Sequence, residues 1–164
     1  MSTTINFIEE CKTVVFEEEE LVLYFTGVPG PQGKSAERTG SIQLSSSEAI
    51  FGTLSAGDSK GVARIPVEMN GMVLYAVGAG VSAASSSGPV TVNIRRVRAG
   101  VGVDMLSTPI TIDEGEYDSS KAAVEAVINP ANATVQTGDM LHFDVDSAGG
   151  NVLGLVVSFS FQPA

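Results

Sequence analysis

Residues 140–146, MLHFDVD, set Leu141, Phe143 and Val145 on one side of an extended backbone and His142, Asp144 and Asp146 on the other. A period of two marks a strand with one face in a core and one at the surface. The segment VLGLVVSFSF (152–161) repeats it, with Leu153, Leu155, Val157, Phe159 and Phe161 in one row. Upstream, PVTVNIRRV turns Val90, Val92 and Ile94 inward, and TPITID does the same with Ile110 and Ile112. GVARIPVEM aligns Ala63, Ile65, Val67 and Met69, and MVLYAVGAGV aligns Val73, Tyr75, Val77, Ala79 and Val81. Between these two lies Asn70-Gly71, a strong hairpin signal because both residues tolerate positive φ. Pro66 cannot donate to a ladder, so it points to an edge or a bulge. At least six alternating strands without interleaved βαβ units predict an all-β chain, an antiparallel β-sandwich that is jelly-roll-like in the broad sense.

One segment departs from the pattern. DSSKAAVEAVIN (118–129) has a serine for an N-cap and alanine-rich content, and Asn129-Pro130 would stop a helix. The same residues fit an extended arm ending in a short strand, and both readings stand at this level.

The chain has 164 residues, enough for one domain with an appendage. Nineteen acidic against nine basic residues leave a net charge of -10, the wrong sign for a nucleic-acid or anionic-membrane surface. The basic cluster Arg95, Arg96 and Arg98 reads as solvated edge charge, since neighbouring residues on a strand face opposite ways. Cys11 is the single cysteine, so no intrachain disulfide is expected and assembly in a cytoplasm is compatible. The N-terminus lacks the basic and apolar regions of a secretory signal. The uncharged stretch from Met69 to Ile94 is interrupted by Asn70-Gly71 and SAASSSG, so no membrane insertion is expected.

Three zones follow. Residues 1–26 mix INFI, TVVF and LVLYF with the acidic run Glu17 to Glu20, and read as an appendage. Residues 27–59 are rich in Gly, Pro and Ser and read as a connector. The sandwich is expected to occupy 60–164 and to fold from about Lys60 onward. Within the connector, GVPGPQG places Gly27, Gly30 and Gly33 at a period of three with Pro29 and Pro31. A collagen triple helix needs glycine at every third position because nothing larger fits at its axis, but three triplets cannot hold one unaided.

Sequence signals for chemistry are sparse. His142 is the one histidine and is expected on the outer face beside Asp144, without a nucleophile motif. The acidic run Asp113, Glu114, Glu116 and Asp118 reads as a solvated turn, ahead of calcium ligation and further ahead of paired catalytic carboxylates. DVDSAGGN opens like a calcium loop but lacks the remaining ligand spacing, and reads as a hairpin. No catalytic residue, cofactor or metal ligand is therefore assigned, and the chain is expected not to be an enzyme.

The run VGVDMLSTPITIDEGEYDSSKAAVEAVINPANATVQTGDMLHFDVDSAGGNVLGLVVSFSF resembles a module of bacteriophage tail-fibre and head-fibre proteins. The shared features are DMLST-ITID-GE, a small-residue arm ending in VI, TGD, the DVD strand and a closing GL-V-F strand, across about residues 60–164. The resemblance implies a non-enzymatic β-sandwich displayed on a virion assembled in the host cytoplasm. It also implies a homotrimer, in which Gly27, Gly30 and Gly33 form a short neck. Residues 1–26 hold more apolar side chains than a solvated tail tolerates, so Ile5, Phe7, Val15, Phe16, Leu21 and Leu23 are expected to bury against capsid or tail proteins as the anchor, while the sandwich would meet a host surface or its glycans. The alternative is a decoration protein whose sandwich lies on the phage head and stabilises it.

Overall fold

The computed structural model describes residues 37–45 and 53–164 in full, and residues 3–4 and 21–22 as backbone. The chain divides into two compact units, Met1–Lys34 and Ser35–Ala164. In the first, β1 (Thr3–Thr4) pairs in parallel with β2 (Leu21–Val22).

The second unit is all-β. Its larger sheet runs β4 (Gly57–Arg64), β11 (Met140–Ala148), β6 (Val90–Arg98), β7 (Val101–Asp104), with β9 (Ile110–Ile112) also paired to β6. Its smaller sheet runs β3 (Arg38–Gln43), β12 (Val156–Gln162), β5 (Val73–Gly80). β8 (Leu106–Thr108) and β10 (Val127–Ile128) form a separate antiparallel pair. Among the described residues every strand pairing in this unit is antiparallel.

The two sheets face each other through their apolar rows. Val90, Val92, Ile94, Ile110, Ile112, Leu141, Phe143 and Val145 from one meet Leu74, Ala79, Leu155, Val157 and Phe161 from the other side. The Phe159 ring joins them, with its centroid 5.3 Å from that of Phe143 and 6.1 Å from that of Phe161. The rows predicted for 90–94, 110–112 and 141–145 are the rows observed.

Three expectations are corrected. The row through Val73 and Tyr75 is out of phase: Phe161 pairs with Leu74 but Ser160 pairs with Ala76, which leaves Tyr75 as an extra residue. That bulge flips the parity, so Leu74 is buried before it and Ala79 after it, while Tyr75 points outward. Asn70-Gly71 is a turn but not a hairpin. Asn70 at φ -60°, ψ 124° and Gly71 at φ 79° make a type II turn, closed by Met72 N–H donating to Met69 O at 3.1 Å. That turn lets β4 and β5 enter different sheets, and Val67 falls in the exposed 3-10 turn Val67–Met69.

The third correction moves the start of the domain. β3 lies inside the stretch read as connector, forms one edge of the smaller sheet, and is followed by Leu54, a core residue. Ile42 and Leu44 pack against that core. RTGSIQ was hard to recognise because its glycine serves a close approach: a Cβ on Gly40 would lie 2.7 Å from Cε2 of Phe159. Segment 118–129 is the extended alternative, a 3-10 turn Ser119–Lys121 followed by an arm that ends in β10.

Candidate functional site

On the outer face of the larger sheet, β4 and β11 fall out of register between Phe143 and Val145. The bulged residue Ser59 takes a left-handed φ of 53°. This turns its N–H to Asp144 Oδ1 at 2.6 Å and its hydroxyl to His142 Nδ1 at 2.7 Å. Arg95, directly opposite His142 on β6, donates from Nε to Asp144 Oδ2 at 2.8 Å and from Nη2 to Oδ1 at 3.2 Å. Burial alone would raise the Asp144 carboxyl, but Arg95 and the Ser59 N–H outweigh it and hold it below the usual carboxylate range. Next to it, Asp146 is pushed upward by burial and by Asp144, Asp104 and Asp58.

His142 therefore has a hydroxyl beside it, from a residue 83 positions away that no sequence motif marks. The arrangement differs from a catalytic triad at the acid. Asp144 spends its oxygens on Ser59 N–H and the Arg95 guanidinium, whereas a triad acid orients the imidazole.

The arginines are not solvated edge charge. β6 is interior to its sheet, and each of the three is committed to a partner. Arg96 Nη1 donates to the carbonyls of Asn132 and Thr134, and its buried Nε has no partner among the described residues. Arg98 Nη2 donates to Asp139 Oδ2 at 2.7 Å and Nε to Oδ1 at 2.8 Å. Asp139 is 3% exposed and also accepts the Gln136 N–H at 2.7 Å, which closes the TGD turn. Burial works to raise this carboxyl, yet Arg98 and the Gln136 N–H hold it below its ordinary value.

A depressed carboxylate stabilises the fold fully above the ordinary aspartate value of about 3.9, and this stabilisation fades as pH falls through the folded-state value. Arg98→Met leaves Asp139 buried and half-answered, so it is expected to cost about 2–4 kcal/mol at pH 7. In urea melts the gap from wild type should narrow below about pH 4, where Asp139 takes up a proton in the variant. An equal gap at pH 7 and pH 3 would show that the loss is packing rather than charge.

The acidic run is a turn whose carboxylates hold backbone. Asp113 Oδ2 accepts the Ala123 N–H at 2.8 Å, Glu114 Oε2 accepts the Gly88 N–H at 2.9 Å, and Glu116 meets Lys121 at 3.3 Å. Asp118 caps the 3-10 turn by accepting the Ser120 N–H at 2.7 Å, and that contact holds its carboxyl below the usual range. Among the described residues no three His, Cys, Asp or Glu side chains gather as a metal centre, and no helix is long and apolar enough to cross a membrane.

A broad recess lies elsewhere. A cleft of about 860 Å³ lies on the outer face of the smaller sheet, with Gly78, Gly80 and Ser158 among its lining on the sheet side. The arm after β9 forms one wall with Tyr117, Asp118, Ser119, Ser120 and Glu125. The wall is pinned to β5 by Val81 N–H on Tyr117 O at 2.9 Å and by Ala79 N–H on Ser119 Oγ at 2.9 Å. In sequence these residues carry the signals of a turn and of either a helix or an extended arm. The sequence signal for the cleft is the small-residue outer row of β5, Ala76, Gly78 and Gly80.

Of the residues assigned from sequence, Ile5, Phe7, Val15, Phe16 and Leu23 and the neck glycines Gly27, Gly30 and Gly33 lie outside the described residues. Leu21 is placed only as backbone, opposite Thr3. Comparison with protein-family models, curated proteins and solved structures finds no match to the chain.

Proposed function

We propose that this chain is a non-enzymatic bacteriophage virion protein, a short homotrimeric fibre. Residues 1–26 anchor it to other virion proteins of capsid or tail, Gly27, Gly30 and Gly33 form a collagen-like neck, and a jelly-roll-like sandwich is displayed to a host surface or its glycans. The resemblance of the 101–161 run supports the virion setting. The observation that carries the binding role is the recessed, hydroxyl-lined cleft, walled by a pinned arm on a rigid double sheet. The charged groups on the opposite sheet are consumed in holding strands together, which supports display over catalysis.

Light scattering on the full chain should give three times the 16.9 kDa chain mass. A monomer at micromolar concentration would remove the neck from the reading. Deleting residues 1–26 should leave the sandwich folded but abolish attachment to particles that lack the native protein, because three weak anchors on one axis act together. Wild-type occupancy by the truncated chain would place the anchor in the sandwich and replace the fibre by the decoration protein.

A further inference from the structure

The cleft contains two glycines that the fold does not require. Neither Gly78 nor Gly80 has a positive φ. A Cβ on Gly78 would meet only Ser158 Oγ at 3.4 Å and Ser119 Oγ at 3.6 Å, and one on Gly80 would meet Tyr117 O at 3.5 Å. These are ordinary contacts, unlike the 2.7 Å approach at Gly40 or the 2.4 Å approach to Leu44 at Gly61. Glycine inside a strand weakens it, and it commonly marks a surface that a ligand approaches closely. Here the space above both residues is the floor of the cleft.

The chemistry around that floor selects the ligand. Ser82, Thr111, Ser119, Ser120 and Ser158 supply hydroxyls, Asp118 and Glu125 supply carboxylates, and among the described residues no lysine or arginine lines the cleft. Ser119 Oγ accepts the Ala79 N–H and keeps its own proton to donate; Ser158 Oγ donates to Gly78 O and keeps lone pairs to accept. Asp118 stays ionised and able to accept hydroxyl protons. Tyr117 lines the cleft with 59% of its surface exposed, which leaves an aromatic ring for a ligand to stack on. An anionic ligand would meet two carboxylates, and Lys121, the cation that acts on Asp118, is already paired with Glu116 at 3.3 Å; an apolar ligand would leave the hydroxyls unanswered.

We propose that this cleft binds a neutral sugar, with Asp118, Glu125 and the serine hydroxyls holding its hydroxyl groups, Tyr117 stacking on the ring, and Gly78 and Gly80 giving it room. The proposal names the site and ligand class of the displayed sandwich and rests on that reading. The test is a printed array of neutral hexose, deoxyhexose and N-acetylhexosamine oligosaccharides, with sialylated and sulfated ones as controls, probed with the full chain. Binding to at least one neutral oligosaccharide is expected, weakened at least about tenfold by Gly78→Val, which fills the floor with a strand-compatible side chain, and by Tyr117→Ala. Thermal unfolding identifies a misfolded Gly78→Val, in which case the exposed Tyr117→Ala decides. Silence on all neutral oligosaccharides, binding to anionic ones alone, or wild-type binding by the folded variants overturns the proposal. Immunogold labelling of intact particles separates the two readings. A chain present on virions but silent on the array sinks the cleft and leaves the fibre, and a chain absent from virions but bound to neutral sugar does the reverse.

Discussion

A chain beginning at Lys60 is expected to be unfolded, and one beginning at Ser35 to unfold cooperatively with β-type circular dichroism. The cut at Lys60 removes β3 and with it the whole antiparallel ladder from Val156↔Gln43 to Phe161↔Arg38. β12 is then left as a bare edge. It also removes Leu54 from the core, Ile42 and Leu44 from its margin, and Gly40 from beneath the Phe159 ring. Burying one such aliphatic side chain is worth about 1.5–3 kcal/mol when complete, so Leu54 with the partly buried Ile42 and Leu44 is a sizeable share of the roughly 5–15 kcal/mol by which a domain is stable at all. Cooperative unfolding of the Lys60 chain at the Ser35 midpoint would show β3 to be dispensable.

Phe143→Ala in the full chain is expected to lower the unfolding free energy by about 3–5 kcal/mol. Phe143 is fully buried at the middle of β11, between β4 and β6, and its ring centroid stands 5.3 Å from that of Phe159 in the smaller sheet. Its removal leaves a cavity where two sheets meet, and neither can close the gap without breaking its own ladder. Phe143→Leu should recover most of the loss, since the volume change is smaller. The measurement is the urea midpoint at constant slope. A loss under about 1 kcal/mol would mean that the sheets repack, contrary to the tight interior these residues form.

Much of the sandwich was readable because alternation is local. Leu141, Phe143 and Val145 lie inward for the same reason that His142, Asp144 and Asp146 do not: a pleated backbone has only two sides. The reading failed where one extra residue changes the count. Tyr75 is such a residue, extra only against its partner strand β12, and near the start of β4 three residues, Asp58 to Lys60, stand against Asp144 alone. RTGSIQ carries a single large apolar side chain, so a strand whose outer row is Thr39, Ser41 and Gln43 looked like linker.

The chain's own residues determine that it is all-β, the apolar rows at 90–94, 110–112 and 141–145, the turn at Asn70-Gly71, and a net charge of -10. These properties depend on near neighbours along the chain and on composition. Tertiary structure alone decided that β4 and β5 part into different sheets and that segment 118–129 is an extended arm. It alone set Ser59 against His142, Arg98 against Asp139, and the 117–126 wall beside Gly78 and Gly80. Each of these depends on which strands pair and in what register. That choice is made by burying distant apolar rows against one another, and no short window of sequence contains both partners.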